Sequence, residues 1–262
     1  MSGLPSPAEL FDALATTYDQ TGIDFFQPVG ARLSALLAPG PGERALDIGC
    51  GRGAVTFPLA DAVGPEGSVR AVDISPAMAA ATQSLASERG YAQVQTEVGD
   101  AGALDGGPYD VVAASLVLFF LPDPAAALAS WVRLLGEGGR IGLTTFGTLD
   151  EASRALDALL LPYAPREFLD ARTQGTKGPF ASAQGMADLM RASGASSVQT
   201  TSESVALPFA DAAAWERFSR TTAQRAMWAG VPDDELDDLR RSAAEILTGE
   251  LVWELCFTVG RR

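Results

Sequence analysis

From residue 43 onward, short apolar runs alternate with stretches whose apolar positions recur every three to four residues. That alternation predicts strands over 44–48, 68–73, 93–98, 110–117 and 139–146, and helices over 53–63, 76–89 and 124–135. Ser75-Pro76 and Asp123-Pro124 each pair a capping side chain with proline at the first helical position, and Gly90 and Gly136 supply stops. Strands and helices in this rhythm build βαβ units and a parallel sheet. Upstream, Ser6-Pro-Ala-Glu9 reads as a capping box, with Phe11, Leu14, Ala15 and Tyr18 on one face of the helix it starts. A second start at Asp24 to Gln27 leads into Val29, Leu33, Leu36 and Leu37. These two helices precede the first strand and are expected to lie across the mouth of the sheet.

After Phe146 the rhythm breaks. Residues 150–182 carry helical fragments interrupted by Pro162, Pro165 and Pro179, with a polar, mobile-looking stretch at 173–178. A helix at 183–193 and a strand at 196–207 resume the alternation. Helices at 211–229 and 232–248 follow, then an alternating strand from Leu251 to Val259. The expected architecture is α/β: a Rossmann-like, doubly wound, mostly parallel sheet of seven strands with a helical cap. Residues 1–262 form one domain, with an N-terminal cap at 1–40 and a ligand-binding core at 41–149. Cap insertions fall at 150–182 and 211–248, and the last two strands at 196–207 and 251–259.

Sheets of this kind bind ligands beyond the carboxyl ends of their strands, where Asp47, Asp73, Asp100 and Ser115 fall. The richest segment is Ala45-Leu-Asp-Ile-Gly-Cys-Gly-Arg-Gly-Ala54, a strand that runs into glycines at 49, 51 and 53. Such a loop turns sharply and lets a ligand lie against its backbone. Gly49-x-Gly51-x-x-Ala54 also fits the dinucleotide fingerprint. Asp47 argues the other way, because a carboxylate before the loop repels a pyrophosphate and suits a ligand bearing an ammonium or sulfonium. S-adenosylmethionine (SAM) has both. Asp73, closing the next strand, occupies the place of an acid that takes ribose hydroxyls.

Composition removes more than it adds. The chain of 262 residues has a net charge of −14, which works against binding nucleic acid or an anionic membrane. It contains no histidine, so a Ser-His-Asp hydrolase and a histidine-ligated metal site are excluded. Cys50 and Cys256 form no ligand pair and no disulfide framework, and a metal site is not expected. Cys50, between two glycines, suits a small filler better than a nucleophile. No signal sequence or apolar span is readable, so the expected location is a reducing cytoplasm. Nothing separates a monomer from a homodimer. Lys177 is the only lysine and has Thr173 four residues before it, so the Tyr-x-x-x-Lys of short-chain dehydrogenases is absent.

With these motifs in place the chain resembles the class I SAM-dependent methyltransferases. Within that family it is similar to the small-molecule branch that includes ubiquinone, menaquinone and bacterial natural-product methyltransferases. Asp47, Gly49, Gly51 and Gly53 match the first motif, which the family uses to hold the methionine part of SAM. Val72-Asp-Ile-Ser75 matches the second, implying Asp73 on the ribose and Ile74 against the adenine. Gly99-Asp100-Ala101 matches the segment after the third strand, implying that Asp100 accepts from the adenine amino group and the Ala101 amide meets the ring. Ser115 through Asp123 match the end of the fourth strand, beside the transferring methyl. Gly138-Gly-Arg140 matches a structural turn, and Tyr18 corresponds to an aromatic that closes over the methionine moiety. Where relatives often carry histidine after the fourth strand, this chain has Phe119-Phe120.

The resemblance implies transfer of a methyl group to an oxygen, nitrogen or carbon of a small-molecule or short modified-peptide acceptor, in secondary metabolism. Phe26, Phe119, Phe120 and Trp215, with Phe25, Phe218 and Trp228, are candidate walls for an apolar or aromatic acceptor, and each also fits plain core packing. Arg225 lies two helical turns after Phe218 in the expected 211–229 helix and could grip an acceptor carboxylate or phenolate. A catalytic base cannot be chosen from sequence. The alternative reading is a SAM-binding protein that transfers nothing, and a third is an interaction module that binds no SAM.

Overall fold

A computed structural model describes residues 6–164, 178–222 and 224–262. The expected mobile stretch at 173–178 therefore lies outside the described residues except for Gly178. A seven-stranded sheet runs in the order β3-β2-β1-β4-β5-β7-β6. Its strands are β1 (Arg44–Ile48), β2 (Ser68–Asp73), β3 (Val94–Val98), β4 (Tyr109–Ser115), β5 (Leu135–Leu149), β6 (Ser196–Leu207) and β7 (Leu251–Arg261). The first five pair in parallel, and β7 runs antiparallel to both β5 and β6. Sequential order reverses between β1 and β4, which places a crevice beyond their carboxyl ends.

The helices are α1 (Pro7–Leu14), α2 (Phe26–Leu37), α3 (Thr56–Val63), α4 (Pro76–Arg89), α5 (Pro124–Arg133), α6 (Glu151–Leu160), α7 (Ala183–Ala192), α8 (Ala212–Ser219), α9 (Arg225–Trp228) and α10 (Leu236–Ile246). None among the described residues is long and apolar enough to cross a membrane. Strand alternation divides the core. Ala45, Val69, Val111 and Ala113 face a layer that holds α2, α3 and the helices after residue 211. Leu46, Ile48, Val112, Ile141 and Leu143 face α5 and α7, where Trp131, Met186 and Met190 fill the space. Asp47 shares the first face with Ala45, so strand geometry alone sends a carboxylate into the core.

Sequence signals set most ends. Ser6 and Glu9 form the reciprocal capping box, and Ser75 and Asp123 cap α4 and α5 above prolines. Four expectations are corrected. Gly136, expected as a helix stop, lies inside β5, because α5 already ends at Arg133. The strand expected over 110–117 stops at Ser115, because Leu116 adopts φ 60° and turns the chain out of the sheet. The helix expected over 211–229 breaks after Ser219. There the Ser219, Thr221 and Thr222 hydroxyls donate to the carbonyls of Glu216, Phe218 and Ser219, at 2.8–3.0 Å. Backbone bonds tighten to a three-residue spacing at the same place, so local hydroxyl bonding competes with helix continuation. The helix expected from Pro232 begins only at Leu236.

At the amino end of the sheet, Arg140 grips Glu43 through both terminal guanidinium nitrogens, at 3.0 and 2.7 Å, and also bonds the Ala38 carbonyl at 2.7 Å. Its hydrogen bonds hold the Glu43 carboxyl below the usual range. This joins α2, β1 and β5 at the end away from the crevice.

Candidate active site

The glycine loop is shaped by backbone bonds to the neighbouring strand. The Gly49 and Cys50 amides both donate to the Val72 carbonyl, at 2.7 and 3.0 Å. Gly49 has φ 70°, and a Cβ there would lie 2.3 Å from Val117 Cγ2 on the loop after β4. The two loops that flank the crevice therefore touch, and only glycine fits. At Gly51, φ is 52° and a Cβ would meet nothing within 4 Å, so this glycine borders open space.

Asp73 holds the loop, and Asp47 holds the start of α3. Asp73 accepts from the Gly51 amide at 2.8 Å and from the Ser75 amide at 2.9 Å, one on each oxygen. Burial raises its carboxyl above the ordinary value. Asp47 is 1% exposed, and its Oδ2 accepts from the Thr56 hydroxyl at 2.6 Å at the start of α3. Its Oδ1 is buried with no hydrogen-bond partner among the described residues. Burial, aided by the nearby Asp73 charge, pushes the Asp47 carboxyl up to about 7. Cys50 is buried between these acids, and burial with their charges raises its thiol well above the ordinary range. A thiol so placed is not a nucleophile.

Residues 12–19 are tied down over this loop. Asp12 Oδ1 accepts from the Ser75 hydroxyl and, at 3.0 Å, from the Ala77 amide. Arg52 donates to the Ala15 carbonyl at 2.8 Å and pairs with Asp19 at 2.7 Å. Tyr18 is thereby half-buried, and burial with the Asp73 and Asp19 charges raises its hydroxyl above the usual range. Asp100 is exposed, and its Oδ1 accepts from the Gly102 amide at 2.8 Å. The Ala101 carbonyl takes the Trp131 indole N–H at 2.7 Å. Ser115 ends β4 in register with Thr144. Ile74 and Phe120 are 39% and 38% exposed, unusual for large apolar side chains, and both sit at this end of the sheet.

Eight aromatic rings form a closed circuit of contacts beside the crevice. It runs from Phe11 to Tyr18, Phe26, Phe25, Trp253, Phe146, Phe119 and Phe120, then back to Phe11, with neighbouring centroids 4.4–6.1 Å apart. Phe26, Phe119 and Phe120 thus fall together, and Phe218 packs on Phe25 and Trp253 from outside the circuit. Trp215 is buried against Trp228 within the cap helices and makes no ring contact with the circuit. Arg225 is exposed and donates to the Ala13 carbonyl at 3.3 Å. The break after Ser219 removes the shared helical face that linked it to Phe218.

Several partners were not singled out from sequence. Asp12, Thr56 and Arg52 act across large separations and carry no motif of their own beyond Arg52's place in the loop. Phe11, Phe146 and Trp253 read as ordinary core positions of their elements.

The family model that describes a methyltransferase domain matches residues 46–141. Nocamycin O-methyltransferase of Saccharothrix syringae is 49% identical over 137 residues, covering 52% of this chain and 49% of that protein. The chain thus spans about half of that relative's length. Aklanonic acid methyltransferase DauC of Streptomyces sp. (strain C5) is 41% identical over 163 residues, covering 61% of this chain and 70% of that protein. Among solved structures, phosphoethanolamine N-methyltransferase 2 of Haemonchus contortus, in complex with SAM, superposes with a TM-score of 0.63 at 18% identity. That superposition covers 99% of this chain and 60% of the other, and it bears on the fold alone. With the glycine loop, its two acids and the reversal between β1 and β4, these matches establish that the chain belongs to the class I SAM-dependent methyltransferases.

Proposed function

We propose that this protein moves a methyl group from SAM to an oxygen, nitrogen or carbon of a small, largely apolar or aromatic acceptor in natural-product biosynthesis. The observation that carries the acceptor class is the closed circuit of eight aromatic rings at the carboxyl end of the sheet. Aromatic faces and edges recognise flat apolar molecules, and such a wall leaves few groups to orient a polar one. The names of the nocamycin and aklanonic acid relatives support the same acceptor class.

The residues present fit the cofactor. Asp47 Oδ1 has no partner among the described residues, and Asp47 lies two positions before the glycine loop, which suits an ammonium donor. Asp73 has spent one lone pair on the Gly51 amide of the loop and one on the Ser75 amide, and keeps capacity to accept from ribose hydroxyls. The exposed Ile74 offers an apolar face to a purine, with Asp100 and Ala101 at its edge. When bound, SAM supplies a methyl group already activated on a sulfonium. Tyr18 and the clamped residues 12–19 would then exclude water, and the aromatic circuit would hold the acceptor in near-attack geometry. Helices α1, α6 and α8–α10 form the cap in this reading, and no general base is assigned.

The test is formation of S-adenosylhomocysteine in excess EDTA, with pools of small phenols, aromatic acids, amines and apolar modified peptides, and with RNA and DNA as controls. Turnover with aromatic small molecules or such peptides, retained under chelation, is expected. Activity confined to nucleic acid, or lost to EDTA, would overturn the reading. Tight SAM binding without any turnover would favour the non-transferring alternative.

A further inference from the structure

On a chain of net charge −14, three arginines converge on one cavity of about 460 Å³. Arg217, Arg220 and Arg225 line one side of it, Thr17 and Gln20 the other, and the buried Thr221 lies between. Arg220 pairs with Glu216 at 2.9 Å, and its guanidinium lies 4.3 Å over the Trp228 ring. Glu216 is shared, because Arg240 also claims it at 2.9 Å. Among the described residues neither Arg217 nor Arg225 has a carboxylate partner. Exposed cations on an acidic protein are ordinarily neutralised by neighbours, so guanidinium groups left together around a cavity make a built attraction for an anion.

Neither Asp47 nor Asp73 lines this cavity, so it is not the cofactor crevice. Two of its lining residues are tied to rings at the aromatic circuit. Thr17 precedes Tyr18, whose ring stacks on Phe26 at 4.4 Å. Thr221 donates to the carbonyl of Phe218, whose ring lies 6.2 Å from Phe25 and 6.0 Å from Trp253. A ligand with a planar apolar body and an acidic group can therefore meet rings and guanidiniums through adjoining surfaces. We propose that this cavity is an anion subsite that takes a carboxylate or phosphate carried by the acceptor. The assignment rests on the acceptor reading above. Bidentate guanidinium recognition gives the subsite a preference for planar or tetrahedral oxyanions over halide.

Calorimetry on the full chain saturated with S-adenosylhomocysteine tests this with three probes at matched ionic strength: 2-naphthoate, 2-naphthyl phosphate and neutral 2-naphthamide. Citrate and inorganic phosphate serve as bare anions. The expected result is saturable binding of both acidic naphthyl probes, about tenfold tighter than the amide and tighter than either bare anion. In Arg217→Ala, which leaves the Arg225 bond to the Ala13 carbonyl in place, that preference should fall at least about threefold while affinity for S-adenosylhomocysteine stays within about twofold. Equal binding of acidic and neutral probes in the wild-type protein overturns the subsite, even if the methyl transfer reading stands. Bare anions binding as tightly as the naphthyl acids would also overturn it, because the cavity would then be separate from the acceptor. Loss of S-adenosylhomocysteine binding in the wild type would instead sink the function reading itself.

Discussion

Acidification should weaken cofactor binding through Asp47, by an amount that its burial sets. In the free protein its carboxyl stands at about 7 because burial and the nearby Asp73 charge disfavour its ionised form. An ammonium placed on that oxygen needs the ionised form, so the competent fraction limits the apparent affinity. That fraction is about a half at pH 7, one in eleven at pH 6 and one in a hundred at pH 5. Affinity should therefore fall about fivefold from pH 7 to 6 and about ninefold from pH 6 to 5, while an α-amino group, titrating near 7.7–8.0, stays cationic. Binding should release about 0.9 proton per ligand at pH 6, which calorimetry in two buffers of different ionisation enthalpy reads directly. Asp73 is raised as well and adds to the slope in the same direction. Asp47→Asn isolates its share: most of the pH dependence should disappear, leaving binding weak throughout. Constant affinity from pH 5.5 to 7.5 with no proton release would refute the assignment of Asp47 to the ammonium.

The same raised carboxyl makes the folded state bind a proton more tightly than the unfolded chain, so its contribution to stability is lost as pH climbs from about 4 to 7; Asp47→Asn should raise the melting temperature of the free protein at pH 8 and not at pH 4, by an energy of at most about 4 kcal/mol. Asp73→Ala should cost about ten- to a hundredfold in affinity by calorimetry and also lower the melting temperature, since the Gly51 and Ser75 amides lose their acceptor. Gly49→Ala should destabilise strongly through contact with Val117 and recover in part with Val117→Ala, whereas Gly51→Ala should cost only about 1–2 kcal/mol of backbone strain yet weaken SAM binding. Glu43 works in the opposite sense to Asp47: its lowered carboxyl stabilises the fold above the ordinary carboxylate range, and that stabilisation is lost as pH falls through the lowered value, so Glu43→Gln should cost about 1–3 kcal/mol at pH 7 and little in acid. Hydrogen exchange in residues 6–23 and α8–α10 should slow when S-adenosylhomocysteine is added, and equal protection would leave them as static packing.

The sheet was legible because its central strands β1 and β4 are apolar and its helix ends are marked by Ser75-Pro76, Asp123-Pro124 and Gly90. The reversal between β1 and β4 and the loop beside it follow from that rhythm. The break at Ser219 was hidden, since hydroxyl-to-carbonyl bonding leaves the helical spacing of apolar residues intact. Leu116 was hidden for a related reason: a left-handed leucine keeps the composition of a strand while leaving it. At the site, the glycines and acids declare themselves by local pattern. The partners that tie them down, Asp12 to Ser75 and Arg52 to Asp19, arise only when distant segments meet. Asp47 was read as a strand-end acid facing the ligand, but strand alternation also buries it under α3, and from that burial comes its pH sensitivity.

The aromatic circuit has an optical consequence. Of the four tryptophans, Trp215 and Trp228 pack on each other inside the cap helices, where their emission should report on the cap and on Arg220, whose guanidinium lies over the Trp228 ring. Trp253 is the one indole within the circuit, held by its N–H on the Ser153 hydroxyl at 2.8 Å. Trp131 reports elsewhere, through its hydrogen bond to the Ala101 carbonyl at the segment assigned to adenine. Emission from Trp253 should respond to aromatic acceptors, and emission from Trp131 to nucleoside. Replacing either one by phenylalanine separates the two signals, so the order in which cofactor and acceptor arrive can be followed in a stopped-flow fluorimeter without any label.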